Sequence, residues 1–303
     1  MRWIDLRSVI TDLRHSVRFF LIGVSMGIVD LIPGVSGGTL AFGYGIWERL
    51  INSIVLIMAA LRSLIALNIR VSQCQFREAE WRLLVPIGLG VLSAVILGAS
   101  VIGSLLETHP QILRAVFCGV VIGALPVPFR LINEWTILRC VMTTMAIVIG
   151  FLVSGIPSRE IGEPSFIVIF VAAAISICAT ILPGLSGSFL LLIFGLYEVL
   201  INAIRERDFV TWGVFAAGAW TGAFVFTSFI AWLLKKYHDS TIAILIGLMI
   251  GGLRVLWPWL GADRELLYPT TFSSVGLIVF WLFIGLSTSV ILSKILTLDE
   301  RHA

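Results

Sequence analysis

Followed from the N-terminus, the chain alternates between long runs of apolar residues and short charged or proline-containing connectors. A first apolar segment extends from Phe19 to about Ala60 and is interrupted midway by polar and glycine residues. An amphipathic basic insert, Arg62 to Arg82, is too polar to cross a bilayer. Continuous stretches follow at Leu83–Leu106, Ile112–Phe129, Thr136–Ile156, Ser165–Ile204 (interrupted like the first), Thr211–Leu234, Thr241–Trp259 and Thr271–Ile295. The ordinary stretches lie near the ~20 residues that a helix needs to span hydrocarbon. They lack the period-2 alternation of a barrel strand, so they are predicted to be helices. The pattern therefore predicts six ordinary spans and two broken segments. Ahead of them, Trp3, Ile4, Leu6, Ile10 and Leu13 lie among Arg2, Arg7 and Arg14, with no small-residue cleavage site following. Residues 1–16 are predicted to form an amphipathic helix lying on an anionic membrane surface.

Composition agrees with this pattern. The chain is 58% hydrophobic and 13% charged, with a mean hydropathy of +1.03, whereas ordinary globular domains carry roughly 25% charged residues. The fold class expected is an all-α polytopic membrane protein forming a single transmembrane domain. A net charge of +3 is too small to suggest a nucleic-acid partner. Cys74, Cys118, Cys140 and Cys178 show no CxxC spacing and are expected to pack as small apolar residues. No pattern calls for a metal or cofactor.

Lys and Arg collect in cytoplasmic loops. With the N-terminus inside, Arg2, Arg7, Arg14, Arg18, Arg62, Arg70, Arg77, Arg82, Arg130, Arg139, Lys235, Lys236, Lys294 and Arg301 fall on the cytoplasmic side. Arg114, Arg159, Arg205, Arg207 and Arg264 fall outside, a bias of fourteen to five. Both termini are therefore expected inside. Trp47, Trp81, Trp135, Trp212 and Trp257 fall near expected helix ends, as interfacial Trp residues do.

The broken segment occurs twice. IPGVSGGTLAFGYGIWERLINSI (32–54) and LPGLSGSFLLLIFGLYEVLINAI (182–204) agree at 11 of 23 positions with a constant offset of 150, and GVVIGALPV (119–127) is echoed by GLMIGGLRV (247–255). Each half reads as a broken hairpin followed by three spans: residues 17–156, carrying the insert 62–82, and residues 164–296. Three spans is an odd number, so the second half is expected to be inverted relative to the first, a plan of many secondary transporters.

The breaks have a chemical reading. Pro33 and Pro183 interrupt the helical hydrogen-bond ladder, and Gly34 and Gly184 permit a sharp turn. The amides of Ser36, Gly37, Gly38 and Thr39, and of Ser186, Gly187 and Ser188, would then stand at new helix N-termini, which attract anions. Such backbone is tolerated inside a membrane only where protein buries it or a wet cavity receives it. The same residues would also suit a tight surface turn with Ser as N-cap. Asp30, Glu48 and Glu198 are acids within the broken segments, and burying an ionisable group costs ~2.5–3.5 kcal/mol on insertion scales, which makes them candidates for ion coupling or gating. Arg254, inside an apolar stretch, is a candidate phosphate ligand through its multi-donor fork; Arg130 is a weaker one.

The run GVSMGIVDLIPGVSGGTLAFGYGIWERLI, with ILPGLSGSFLLLIFGLYEVLI and GVVIGALPVPFR, resembles the signature of the PopT polyprenyl-phosphate transporters, and the resemblance covers essentially the whole chain. It implies a flippase that returns undecaprenyl phosphate, the lipid carrier of peptidoglycan precursors, from the outer to the inner leaflet of the bacterial cytoplasmic membrane. H+ or Na+ would be the coupling ion of such an alternating-access cycle. Two other classes compete. A small-anion transporter or channel would use the same hairpins with a water-filled path. A lipid pyrophosphatase would need a nucleophile with an organised base and cation set, and His15, His109, His238 and His302 are expected in termini or loops without such partners; the protein is read as a non-enzyme.

Overall fold

The computed structural model describes residues 6–32, 34–158, 162, 164–269 and 272–297, with the side chains of 6–12, 204, 272–274 and 295–297 left out. Helices α1 (Leu6–Asp30), α2 (Gly37–Gly43), α3 (Trp47–Ile65), α4 (Ile69–Glu78), α5 (Trp81–Thr108), α6 (Pro110–Ala124), α7 (Pro126–Phe129) and α8 (Ile137–Ser154) make the first half. The second half has α9 (Phe166–Ile181), α10 (Gly187–Ile193), α11 (Tyr197–Glu206), α12 (Phe209–Gly252) with a following 3-10 turn (Leu253–Leu256), and α13 (Phe272–Thr297). Among the described residues, the β structure recorded is an isolated bridge between Leu260 and Leu266.

Among the described residues, five helical runs are long and apolar enough to cross a membrane: Trp81–Thr108, Pro110–Phe129, Ile137–Ser154, Phe209–Leu256 and Val275–Lys294. The fourth contains two of the six expected spans. Its two helical arms meet at a kink inside the connector that the sequence suggested, at the non-helical Tyr237 (φ −134°, ψ 47°). Lys235, Lys236, His238 and Asp239 flank that kink, so the polar connector is a sharp bend between two helices with no intervening loop. Asp208 caps the start of α12 through the amides of Val210 and Thr211 and the Thr211 hydroxyl. The Thr211 hydroxyl and these amides hold the Asp208 carboxyl below the usual carboxylate range.

One further expectation changes. The N-terminal amphipathic stretch, as far as it is described, is no separate helix: from Leu6 it continues into the apolar run as one 25-residue α1. No Pro or Gly lies between Leu6 and Phe20 to stop it. The basic insert folds as α4, capped by Asn68 and packed against α3.

The two halves follow the same order of elements and interlock. α1 packs on α5, and its counterpart α9 packs on the first arm of α12; α6 packs on α13, while the second arm of α12 packs on α8. Each half thus lends one span to the other. Glycine makes these approaches possible, as small residues do between membrane helices. A Cβ on Gly90 would overlap the Phe20 carbonyl, and one on Gly218 would overlap that of Phe170. Likewise, a Cβ on Gly119 would strike the Leu282 carbonyl and one on Gly247 that of Thr143. The glycines of α5 are only partly packing residues, since Gly88 and Gly103 look onto open space. Leu40, Phe42, Ile46, Ile242, Ile246 and Met249 fill the centre of the core, whereas Leu97, Ile137 and Ile167 are exposed on the outer helix faces.

Gly90→Ala and Gly218→Ala should each destabilise the protein by about 1–3 kcal/mol through overpacking. Gly88→Ala and Gly103→Ala should be neutral or stabilising by up to about 1 kcal/mol, through helix propensity alone. Thermal melts in detergent would compare the two pairs.

Candidate functional site

Each break is a short loop followed by a two-turn helix. Gly34 (φ 103°) and Gly184 (φ 92°) turn the chain in the left-handed region that favours glycine; Pro33 lies outside the described residues, and Pro183 is buried. Ser36 caps α2: its Oγ accepts from the Gly38 amide at 3.2 Å. The Gly37 amide donates to Asp30 Oδ1 at 2.6 Å. Asp30 thus places a carboxylate on the first amide of α2, where an anion is expected at a helix start. In the second break Thr180 replaces Asp30 and turns its hydroxyl back onto the Ser176 carbonyl at 3.0 Å. Ser186 begins α10 without a capping bond, its Oγ lying 2.8 Å from that of Ser188. Glycine follows each Ser, at Gly37 and Gly187, because a side chain there would collide with Asp30 or with Thr180 and Ser176.

The two breaks meet. Ser36 Oγ donates to the Thr180 carbonyl at 3.1 Å, the Gly184 amide donates to Thr39 Oγ1 at 3.0 Å, and Trp47 Nε1 donates to the Ile181 carbonyl at 3.0 Å. Ser36, Thr39 and Trp47 are buried. Trp47 is therefore no interfacial anchor. It ties the first hairpin to the end of α9, because the repeat brings the start of α3 into the centre. The space left between Gly34, Thr39, Gly184 and Met249 is about 10 Å³, room for one water at most. The junction is closed to a phosphate in this conformation.

A polar chain lies beside the α12 kink. His238 Nε2 is 3.0 Å from Glu48 Oε1, and its Nδ1 is 3.2 Å from Asp239 Oδ1. Asp239 also receives Arg139 at 3.1 Å, and both the amide and the side chain of Asn133. This overturns the expectation that His238 lacks charged partners. The ring bridges α3 and α12, and it can donate to both carboxylates only as imidazolium. Sequence reading passed over it because Glu48 lies 190 positions away and Arg139 a hundred. The adjacent His-Asp pair beside two lysines was the one local signal.

The remaining candidates scatter. Arg254 lies with its guanidinium 4.4 Å from the Phe151 ring centroid and donates to the carbonyls of Phe151 and Arg264, each at 3.3 Å. Arg264 in turn covers Phe189 of α10 at 4.2 Å, and Arg114 donates to the Leu260 carbonyl at 3.1 Å. Arg254 therefore flanks the second hairpin with two arginines that sequence reading did not single out; Arg114, a lone cation in an apolar stretch, carried a usable signal. Arg130 is exposed at the end of α7 and Glu198 is exposed in the first turn of α11, so neither joins the junction. Cys74 and Cys140 are exposed, Cys118 and Cys178 half-buried.

A multi-pass helical membrane protein whose two interrupted helices join at its centre is the class these features define. The sequence profile of the "undecaprenyl phosphate translocase-like" family matches residues 26–271, and the chain belongs to that family. It is 32% identical over 245 residues to the "Polyprenyl-phosphate transporter" of Vibrio cholerae serotype O1, covering 79% of this chain and 77% of that protein. It is 29% identical over 298 residues to the "Polyprenyl-phosphate transporter" of Staphylococcus aureus, covering 92% and 96% respectively. No solved structure matches it. The relatives are named as transporters, not enzymes, in keeping with the non-enzymatic reading.

Thr39→Val should cost about 1–3 kcal/mol by leaving the buried Gly184 amide without its acceptor, and Thr39→Ser should recover most of that. Unfolding of the two variants side by side would check it. Glu48→Ala and His238→Ala should be non-additive by roughly 0.5–1 kcal/mol, the modest coupling of a pair about one-third exposed.

Proposed function

We propose that this protein carries a polyprenyl phosphate, with undecaprenyl phosphate the substrate in the bacterial cytoplasmic membrane, from the outer to the inner leaflet for reuse in envelope synthesis. Family membership and the names of the relatives support the substrate. The observation that carries the mechanism is the direct bonding of one helix break to the other. Both termini are taken as cytoplasmic on the Lys and Arg distribution. The second half is then inverted across the bilayer, and its hairpin enters from the opposite face.

On this reading the closed junction is one state of an alternating-access cycle. The head group passes when the breaks part, and the amides and hydroxyls around Ser36, Gly37, Gly38, Thr39, Ser186, Gly187 and Ser188 exchange their internal partners for phosphate oxygens. α2 and α10 have seven residues each, so amides rather than a long-helix dipole supply the attraction. Arg254 offsets charge from the flank of the second hairpin. Asp30 competes with the phosphate for the Gly37 amide, and a proton or sodium ion on Asp30 would free that amide. Glu48, bridged to His238, would couple such a change to the α12 kink. Only differential binding of the ion to the two states could bias the cycle. A central space of about 10 Å³ speaks against an open small-anion channel.

Leaflet exchange of undecaprenyl phosphate in proteoliposomes tests this. The Ser36→Ala/Ser186→Ala double variant should lose about tenfold in rate, the worth of two modest hydrogen bonds; normal folding with full transport would remove the hairpins from the mechanism. Asp30→Asn keeps an acceptor for Gly37 but cannot titrate, so its rate should no longer respond to a pH or sodium gradient.

A further inference from the structure

We propose that a second site, a basic cavity between the middle of α1, the start of α3, the end of α4 and the start of α5, holds the phosphate monoester of a lipid at the membrane edge. This inference rests on the substrate reading above and adds a station that the broken helices do not provide. The cavity has a volume of about 700 Å³, against about 10 Å³ at the helix-break junction, and lies within the range of small-molecule sites. Four guanidiniums line it, those of Arg18, Arg49, Arg77 and Arg82, against the carboxylates of Glu78 and Glu80.

The charges are arranged unequally. Arg49 holds Glu80 through Nε at 3.1 Å and Nη2 at 2.7 Å, and the described walls of the cavity carry four arginines against two glutamates. Arg18 is only 7% exposed and packs at 5.7 Å from the Phe19 ring, with Arg49 at 5.5 Å from the same ring. A guanidinium held on an aromatic ring in a poorly solvated wall attracts an anion more strongly than one in water. Its planar fork fits two oxygens of a phosphate.

The surroundings select a lipid as the source of that phosphate. Val17, Phe20 and Leu21 on α1, and Val85 and Leu89 on α5, are exposed within about two turns of the cavity residues. These apolar faces would receive a hydrocarbon chain whose head group sits among the arginines. On the proposed topology the cavity opens at the cytoplasmic interface, where the head group is held after crossing and before release.

Direct binding to the purified full-length protein tests the site, with undecaprenyl phosphate, phosphatidylglycerol and inorganic phosphate as three separate probes. Arg77 and Arg82 are exposed, so Arg77→Gln/Arg82→Gln should keep the wild-type melting temperature yet weaken undecaprenyl phosphate binding by about tenfold or more. Arg77→Lys/Arg82→Lys, which keeps the charge, should retain most of the affinity. Phosphatidylglycerol, a singly charged diester, and inorganic phosphate, which has no chain, should each bind at least about tenfold more weakly than the monoester lipid. Unchanged binding in the Gln pair, a loss that the Lys pair does not restore, or equal binding of either control probe would overturn the cavity site. Failure of the wild-type protein to bind undecaprenyl phosphate at all would instead overturn the transport reading, and the cavity with it.

Discussion

The structure depends on satisfying backbone groups that two interrupted helices leave open inside the protein. An unpaired amide or carbonyl is costly away from water, and here each break supplies partners for the other. Thr39 of the first hairpin accepts the Gly184 amide of the second, while Ser36 and Trp47 donate to the carbonyls of Thr180 and Ile181 at the end of α9. Neither hairpin could be buried in this way alone. The side chains that make the contact, Ser36, Thr39 and Trp47, belong to the first repeat; the second keeps Ser186 but has Phe189 and Tyr197 in place of the other two. The duplication has therefore diverged into a half that supplies side chains to the junction and a half that supplies backbone groups.

Around that junction, glycine sets how closely the spans approach. The four approaches at Gly90, Gly218, Gly119 and Gly247 bring helix backbones against one another with no side chain between them. Such seams rest on van der Waals packing and backbone proximity, the main associating forces between helices in lipid. Because α6 is packed on α13 and α8 on the second arm of α12, a movement of one half carries a span of the other. Such crossed packing suits a body that switches between discrete arrangements better than one that deforms gradually.

Electrostatics divides between the centre and the ends. At the centre the chain supplies its own anion, Asp30, to the amide that opens α2, and the second break replaces it with Thr180. Away from the junction, side chains gather into ordered sets: Glu48, His238, Asp239 and Arg139 at the α12 kink, and Arg254 with Arg264 and Arg114 about the second hairpin. In both sets the polar heads are held by named partners, so their geometry depends on the helix packing.

The sequence alone determined the membrane class, the existence of the apolar helices and the duplication, because apolar run length and an 11-of-23 match at constant offset are local or directly comparable properties. It also located both turns, since Gly34 and Gly184 are demanded by a left-handed backbone that few other residues adopt. What it could not determine was partnership. Asp30 as a cap, Trp47 as a buried tie and His238 as a bridge each depend on a residue outside the local pattern. Hydropathy ended the first arm of α12 at Leu234, three residues short of the kink at Tyr237, since polar residues at Lys235 and Lys236 end an apolar run before they end a helix. Tertiary structure decided these points because a hydrogen bond or ion pair forms between groups brought within about 3 Å, and only the folding of both halves against one another brings Glu48 to His238 or Thr39 to Gly184.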